Sequence, residues 1–275
     1  DAIREAARKL GYRPNYHARS LQGGRSQTIG VLMGHLDQCS WDHFWAQMIG
    51  GTMVRARTMG YHSLTVGEVR EAEPLDLGLR FLQERRIDAL IVPVDDPCAF
   101  EELPGPVVRA DYAATSDWPT VALDEAAGIR SAVEHLAQFG HRRVMWAGPE
   151  DSVDPAVSRR REGFDQAVRR HGLQGDHITL AYRRGENSEF FSERVAVQAA
   201  DLLEKLDGRP EATGFVCYEE STALSVYAAC QSLGLRVPDD VSVIGFDDIY
   251  AQAAWPPMTV VSHMLEALGR RAAEL

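Results

Sequence analysis

Short apolar runs that do not alternate, each followed by a turn and a segment of helical period, recur along the whole chain. The runs are Ile29–Met33, Ala89–Val94, Val107–Arg109, Thr120–Leu123, Arg143–Ala147, Gly214–Cys217 and Val241–Phe246. Between them lie amphipathic segments at Trp45–Met59, Leu77–Arg86, Ile129–Phe139, Arg161–His171, Glu193–Leu206 and Thr222–Leu233. A strand that is apolar on both sides must be covered on both faces, and helices between such strands supply that cover. The pattern therefore predicts an α/β chain with parallel sheets. At 275 residues, 45% hydrophobic, it is long enough for two sub-domains with separate cores. Breaks near Ala122–Asp124 and at Trp255–Pro256–Pro257 mark passage into a second unit and return to the first.

What comes before the first run is of a different kind. Between Asp1 and Arg25 stand six basic residues, Arg4, Arg8, Lys9, Arg13, Arg19 and Arg25, against Asp1 and Glu5. That is +4 in a chain of −11, so the remainder carries −15. Ile3, Ala6, Ala7 and Leu10 share one helical face, which Gly11 ends. Pro14 prevents continuation, and Asn15 can cap a second helix reaching about Gln22. A helix of two turns is marginal alone, because nucleation outweighs its few hydrogen bonds. A basic, conditionally folded leader on an acidic body points to a polyanion such as DNA. An amphipathic helix docked on the body through Leu21 is the plainer alternative.

No apolar run is long enough to span a bilayer, and no membrane partner is expected. Cys39, Cys98, Cys217 and Cys230 are widely spaced, which fits buried thiols in a reducing cytosol and neither a disulfide framework nor a zinc site. Dinucleotide-binding, Walker-type, zinc-protease and nucleophile-elbow motifs are absent, so no cofactor, metal or enzymatic activity is expected. A glycosidase-like carboxylate pair is the enzymatic alternative.

The sequence Gly11-Tyr12-Arg13-Pro14-Asn15, then Ala18-Arg19-Ser20-Leu21, then Thr28-Ile29-Gly30-Val31 resembles the hinge region of the lactose/galactose repressor (LacI/GalR-type) family. Further blocks follow in the family's order: His135-Leu136 with Gly140-His141-Arg142, Arg160-x-x-Gly163-Phe164, Val237 to Asp248, and Pro256-Pro257-Met258-Thr259. The resemblance implies a periplasmic-binding-protein-like body of two Rossmann-like sub-domains joined by three crossovers and preceded by a hinge helix. It divides the chain into residues 1–27, the end of a DNA-binding headpiece and the hinge; 28–123 plus 258–275, the first sub-domain; and 124–257, the second. It further implies a homodimer on operator DNA, with helices such as Trp45–Met59 and Thr222–Leu233 at the interface. Asn15, Ala18 and Arg19 would lie on the hinge helix and Leu21 would wedge into the minor groove. The family usually extends beyond both ends of this chain, so the reading is of a chain trimmed at each.

Ligands of open parallel sheets bind beyond the carboxyl ends of the strands. The residues just past the runs are Asp37, Asp95, Asp96, Asp111, Asp124, Glu219, Glu220, Asp247 and Asp248, with Arg159, Arg160 and Arg161 on a nearby turn. Carboxylates with an arginine suit a ligand made of hydroxyl groups, and Trp41, Phe44, Trp45 and Trp255 could cover a sugar ring. Asp124 is equally readable as a helix cap, Phe44 and Trp45 as core or dimer contacts, and Asp239 and Asp240 as turn residues. The resemblance places Arg160 and Asp247 on the effector. The expected effector-binding set is thus Arg160, Asp247, Asp111, Glu219, Trp41, Phe44 and Trp255, around a small neutral sugar between the lobes. Glu219-Glu220 stands where the family commonly has Asn-Asp, and Asn187 stands where some sugar-responsive members have an aromatic. The expected function is a cytoplasmic, effector-responsive regulator, a repressor of carbohydrate use. A nucleobase effector and a transport-type sugar-binding protein are the alternatives.

Overall fold

The computed structural model describes residues 2–12, 24–35, 42–68, 74–92, 105–110, 118–150, 155–181, 191–206, 208 and 210–275. The elements begin with α1 (Ala2–Lys9), β1 (Thr28–His35), α2 (Asp42–Thr58), β2 (His62–Glu68), α3 (Pro74–Gln83), β3 (Ala89–Val92), β4 (Val107–Ala110) and β5 (Thr120–Val121). They continue with α4 (Glu125–Gln138), β6 (Arg143–Gly148), α5 (Pro155–His171), β7 (Gln174–Thr179), α6 (Phe191–Leu206), β8 (Gly214–Cys217) and α7 (Glu220–Ser232). Last come β9 (Ser242–Phe246), a 3-10 turn (Ala251–Ala253), β10 (Thr259–Val261) and α8 (Leu265–Glu274).

The chain forms two compact units, Asp1–Ala122 with Leu265–Leu275, and Leu123–Met264. Each holds one parallel five-stranded sheet, of order β2-β1-β3-β4-β5 in the first and β10-β9-β8-β6-β7 in the second. Read from β7, the second sheet repeats the order of the first, so in each the strand order reverses beside the first strand laid down. That reversal opens a crevice at the carboxyl ends of neighbouring strands. The return to the first unit comes at Leu265 and not at Met258. Residues 258–264 belong to the second unit, because β10 pairs in parallel with β9, Thr259 opposite Ile244 and Val261 opposite Phe246.

In the first unit Leu32, Val66, Leu82, Ile87, Leu90, Val92 and Val107 form a core under α3. On the other side α2 and α8 touch backbone to backbone. A Cβ on Gly51 would collide with the Glu266 carbonyl and one on Gly269 with the Met48 carbonyl, and Thr52 Oγ1 donates to the Gly269 carbonyl at 3.1 Å. In the second unit both faces of the sheet are filled. Val144, Trp146, Val216, Ile244 and Phe246 meet α4 and α5, whereas Ala147, Phe215, Cys217 and Val243 meet the face that carries α6 and α7. This two-sided burial is the physical cause of the non-alternating runs.

Helix α1 ends at Gly11, whose φ of 66° supplies the left-handed stop, and Tyr12 N–H returns to the Ala7 carbonyl at 2.9 Å. Asn15, Ala18, Arg19 and Leu21 lie outside the described residues.

Candidate functional site

On α5 the buried positions are Ala156, Val157, Arg160, Gly163, Phe164, Ala167 and Val168. That is the core stripe of an amphipathic helix, with an arginine where an apolar residue would be expected. On α4 the stripe is Glu125, Ile129, Ala132, Val133 and Leu136, with a carboxylate at its head. The two helices cross where Gly163 faces Ala126, and a Cβ on Gly163 would strike the Ala126 backbone. Phe164 then fills the core beside Trp146. The Arg-x-x-Gly-Phe motif is therefore one device. Its glycine sets the helix separation and its aromatic anchors it, which brings Arg160 to Glu125.

Arg160 is 5% exposed and Glu125 7%. Arg160 Nε donates to Glu125 Oε1 at 2.8 Å, its second terminal nitrogen reaches the same oxygen at 2.7 Å, and the other donates to the Tyr218 carbonyl at 2.7 Å. Arg159 Nε donates to the remaining oxygen, Oε2, at 2.6 Å. The guanidinium lies over the Phe246 ring, 3.7 Å from its centroid, and 4.8 Å from that of Tyr218. Burial works against the charge, but Glu125, Tyr218 and Asp247 outweigh it and hold the arginine protonated well above its ordinary range.

Tyr218 and Glu219 follow β8, and Asp247 follows β9, so this cluster stands at the carboxyl edge of the second sheet. Asp247 has φ 80°, uncommon for a residue with a side chain, and its N–H donates to the Val261 carbonyl at 2.9 Å. Glu219 is the residue before α7, with extended backbone and no side-chain cap bond. Its Oε1 accepts from Ser221 Oγ and lies 3.6 Å from an Arg194 terminal nitrogen. Glu220 is buried in the first turn of α7 and accepts from Ile249 N–H at 3.0 Å and Tyr250 N–H at 2.9 Å. Burial pushes its carboxyl up, to about 7, against the pull of those backbone donors and with help from Asp247.

Of the expected set, the structure brings Arg160 and Asp247 into one electrostatic cluster and places Glu219 at the same sheet edge. Trp255 lies beyond the 3-10 turn and is 90% exposed. Phe44 is in the first turn of α2, and Trp41 and Asp111 lie outside the described residues, as do Asp37, Asp95 and Asp96. Asp124 caps α4, accepting from Ala127 N–H at 2.8 Å, which decides between its two readings. Asp240 holds its own turn by accepting from the N–H and Nε of Arg236, both at 3.0 Å. Sequence reasoning missed Glu125 and treated Glu220 only as half of a Glu-Glu pair. Glu125 had a signal: it stands four residues before Ile129, in register with the apolar stripe. Glu220 had none, because its partners are backbone groups of a distant loop. Among the described residues no helix is long and apolar enough to cross a membrane, and no three His, Cys, Asp or Glu side chains are grouped to hold a metal.

Residues 133–275 match the family described as periplasmic binding protein-like domain. The chain is 30% identical over 280 residues to the HTH-type transcriptional repressor CytR of Escherichia coli K12, covering 98% of this chain and 77% of that protein. A solved structure titled transcriptional regulator CelR-cellobiose complex superposes with TM-score 0.69 at 24% identity, covering 99% of this chain and 81% of that one. A LacI family transcriptional regulator from Enterococcus faecium with bound ribose superposes with TM-score 0.68 at 21% identity, covering 90% and 88%. With two parallel sheets of matching strand order, the Arg-x-x-Gly-Phe device and these relatives, the chain belongs to the LacI family of transcriptional regulators.

Proposed function

We propose that the chain is the effector-binding body, with part of the DNA-contacting leader, of a cytoplasmic repressor that controls a carbohydrate-use operon. It is not an enzyme. The observation that carries the effector assignment is Arg160: a buried guanidinium, seated on an aromatic face, whose charge Glu125 already neutralises. A site so balanced has little to offer an anion. It offers oriented donors and acceptors to hydroxyl groups. Arg160, Asp247 and Glu219 are the ligand contacts, with Asp111, Trp41, Phe44 and Trp255 completing the site. That relatives are titled with cellobiose and with ribose supports a small neutral sugar.

The DNA-binding half of the proposal rests on the leader. Its positive charge contrasts with the acidic body, and Asn15, Ala18, Arg19 and Leu21 match the family's hinge. A homodimer on a near-palindromic operator would bring two hinge segments together, where each folds and Leu21 enters the minor groove. An effector alters operator affinity only if it binds two arrangements of the body unequally, and release on binding is the expected direction. Calorimetry with cellobiose, D-ribose, adenine and guanine tests the effector. A sugar should bind, and Arg160→Ala should weaken it about tenfold or more. Binding of the nucleobases alone, or sugar binding indifferent to Arg160→Ala, overturns the assignment. Leu21→Ala in the protein with its headpiece should abolish specific operator binding and leave sugar affinity unchanged.

A further inference from the structure

The end of the second unit is stitched to the aspartate pair that follows β9. Asp247 Oδ1 lies 2.7 Å from His263 Nδ1. Asp248 Oδ2 accepts from Ser262 Oγ at 2.7 Å, and that hydroxyl oxygen in turn accepts from Met264 N–H at 3.1 Å. His263 is 3% exposed and meets the Phe246 ring edge-on at 5.5 Å. A carboxylate oxygen is the acceptor in such a pair, so Nδ1 is the donor of this bond. The stitch joins two backbone positions of positive φ, Asp247 at 80° and Met264 at 50°, neither of them glycine. Such conformations cost energy and persist only where surrounding bonds hold them. Leu265, the next residue, begins α8, which belongs to the first unit.

We infer that His263 is a positioning residue for Asp247, and that His263 and Ser262 together tie this aspartate pair to the segment entering α8. The inference rests on the reading of Asp247 as an effector contact. A ligand hydroxyl that takes up the Asp247 carboxylate competes with His263 for it, so occupancy of the site reaches the backbone of residues 262–264. The side chain at position 263 therefore does two things. It presents the carboxylate in a backbone conformation that would otherwise be unfavourable, and it makes the connection out of the second unit sensitive to whether that carboxylate is engaged.

Amide hydrogen exchange on the full chain tests this, with three variants that separate hydrogen bonding from shape. His263→Leu keeps an apolar group against Phe246 and removes the donor. His263→Asn places an amide N–H near the position of Nδ1 and removes the ring. Ser262→Ala leaves the ring untouched. His263→Leu should speed exchange at Asp247, Met264 and Leu265 about tenfold while leaving β8 unchanged, because opening there is local. His263→Asn should restore most of that protection. Ser262→Ala should speed exchange at Met264 and spare Asp247. A purely structural role for the ring gives the reverse order, with leucine tolerated and asparagine not, and that result overturns the inference. So does wild-type protection in both His263→Leu and Ser262→Ala. Should His263→Leu fail to fold, His263→Asn and Ser262→Ala still decide: a loss of Asp247 protection in His263→Asn, or unaltered Met264 exchange in Ser262→Ala, counts against it. Calorimetry of the wild-type protein with cellobiose and D-ribose is run in parallel. Absence of sugar binding would remove the effector reading of Asp247 and leave the exchange result on the stitched segment standing.

Discussion

The two ends of the second sheet both carry signature residues, and they use them in opposite ways. At the amino end, His141 joins two strand beginnings. Its Nδ1 lies 2.7 Å from Thr213 Oγ1, just before β8, and its Nε2 lies 3.0 Å from Ser242 Oγ at the start of β9. Burial lowers its pKa, which favours the neutral ring whose one donor and one acceptor match two hydroxyl groups. Beside it Arg143 pairs with Asp176 and Glu211. At the carboxyl end, full charges are buried on the core stripes of two helices, and an aspartate stands in a left-handed backbone. The first end is sewn with partners that water could replace at modest cost. The second holds groups that are expensive to bury and that only their mutual arrangement makes tolerable. A signature residue thus marks a site only where its environment is costly without a functional return.

Breaking the carboxyl end should be the most damaging change. Glu125→Ala leaves Arg160 buried and unpaired and should cost about 3–5 kcal/mol in urea unfolding. Glu125→Gln keeps an acceptor and should cost less. It should also admit inorganic phosphate, which the wild-type site should refuse because Glu125 already occupies the arginine. Gly163→Ala comes next. Its methyl group meets the Ala126 backbone, and overpacking of this kind costs about 1–3 kcal/mol. Because Arg160 sits on the same helix, sugar affinity should fall with stability. His141→Ala should cost about 1–2 kcal/mol, the value of hydrogen bonds lost from a partly buried pair of strands. Sugar affinity should not change, and an equal loss of affinity would erase the distinction between the two ends.

The same contrast between interior and margin governs what could be read from the sequence. All seven runs correspond to strands, β1, β3, β4, β5, β6, β8 and β9, within two residues at either end. The strands not anticipated, β2, β7 and β10, are all at sheet edges. In β7 the exposure pattern leaves only Ile178 buried, so its sequence Gln-Gly-Asp-His-Ile-Thr carries almost no apolar signal. An edge strand is covered on one side at best, and its pairing is decided by the strand beside it. Missing β10 is also why the expected return to the first unit came seven residues early. For the site, Arg160 and Asp247 were legible through the resemblance, and their chemistry required the fold: Glu125 lies thirty-five residues from Arg160, and His263 sixteen from Asp247.

The smallest expected effect is also the one that most directly separates the two ends, since it depends on pH and not on a lost contact. Glu220 is buried at the carboxyl end with a carboxyl raised from 4.5 to about 7, chiefly because burial penalises its charge. In the unfolded chain the group titrates near 4.5, so between about 4.5 and 7 the folded protein binds more protons than the unfolded one. Stability then falls as pH rises across that window, and the contribution present below 4.5 is gone above 7. His141 at the amino end has the opposite sign. Its pKa is lowered, so the folded state releases a proton that the unfolded state retains below 6.5, and stability rises with pH through that region. The two slopes oppose each other where the windows overlap, below about pH 6.5, and partly cancel there in the wild-type protein. Glu220→Gln removes the falling component and should leave stability rising with pH, whereas His141→Ala removes the rising component and should leave it falling. Urea unfolding of both variants at pH 5, 6 and 7 measures the two directly. Parallel profiles in the two variants would mean that neither carboxyl end nor amino end titrates as its surroundings dictate.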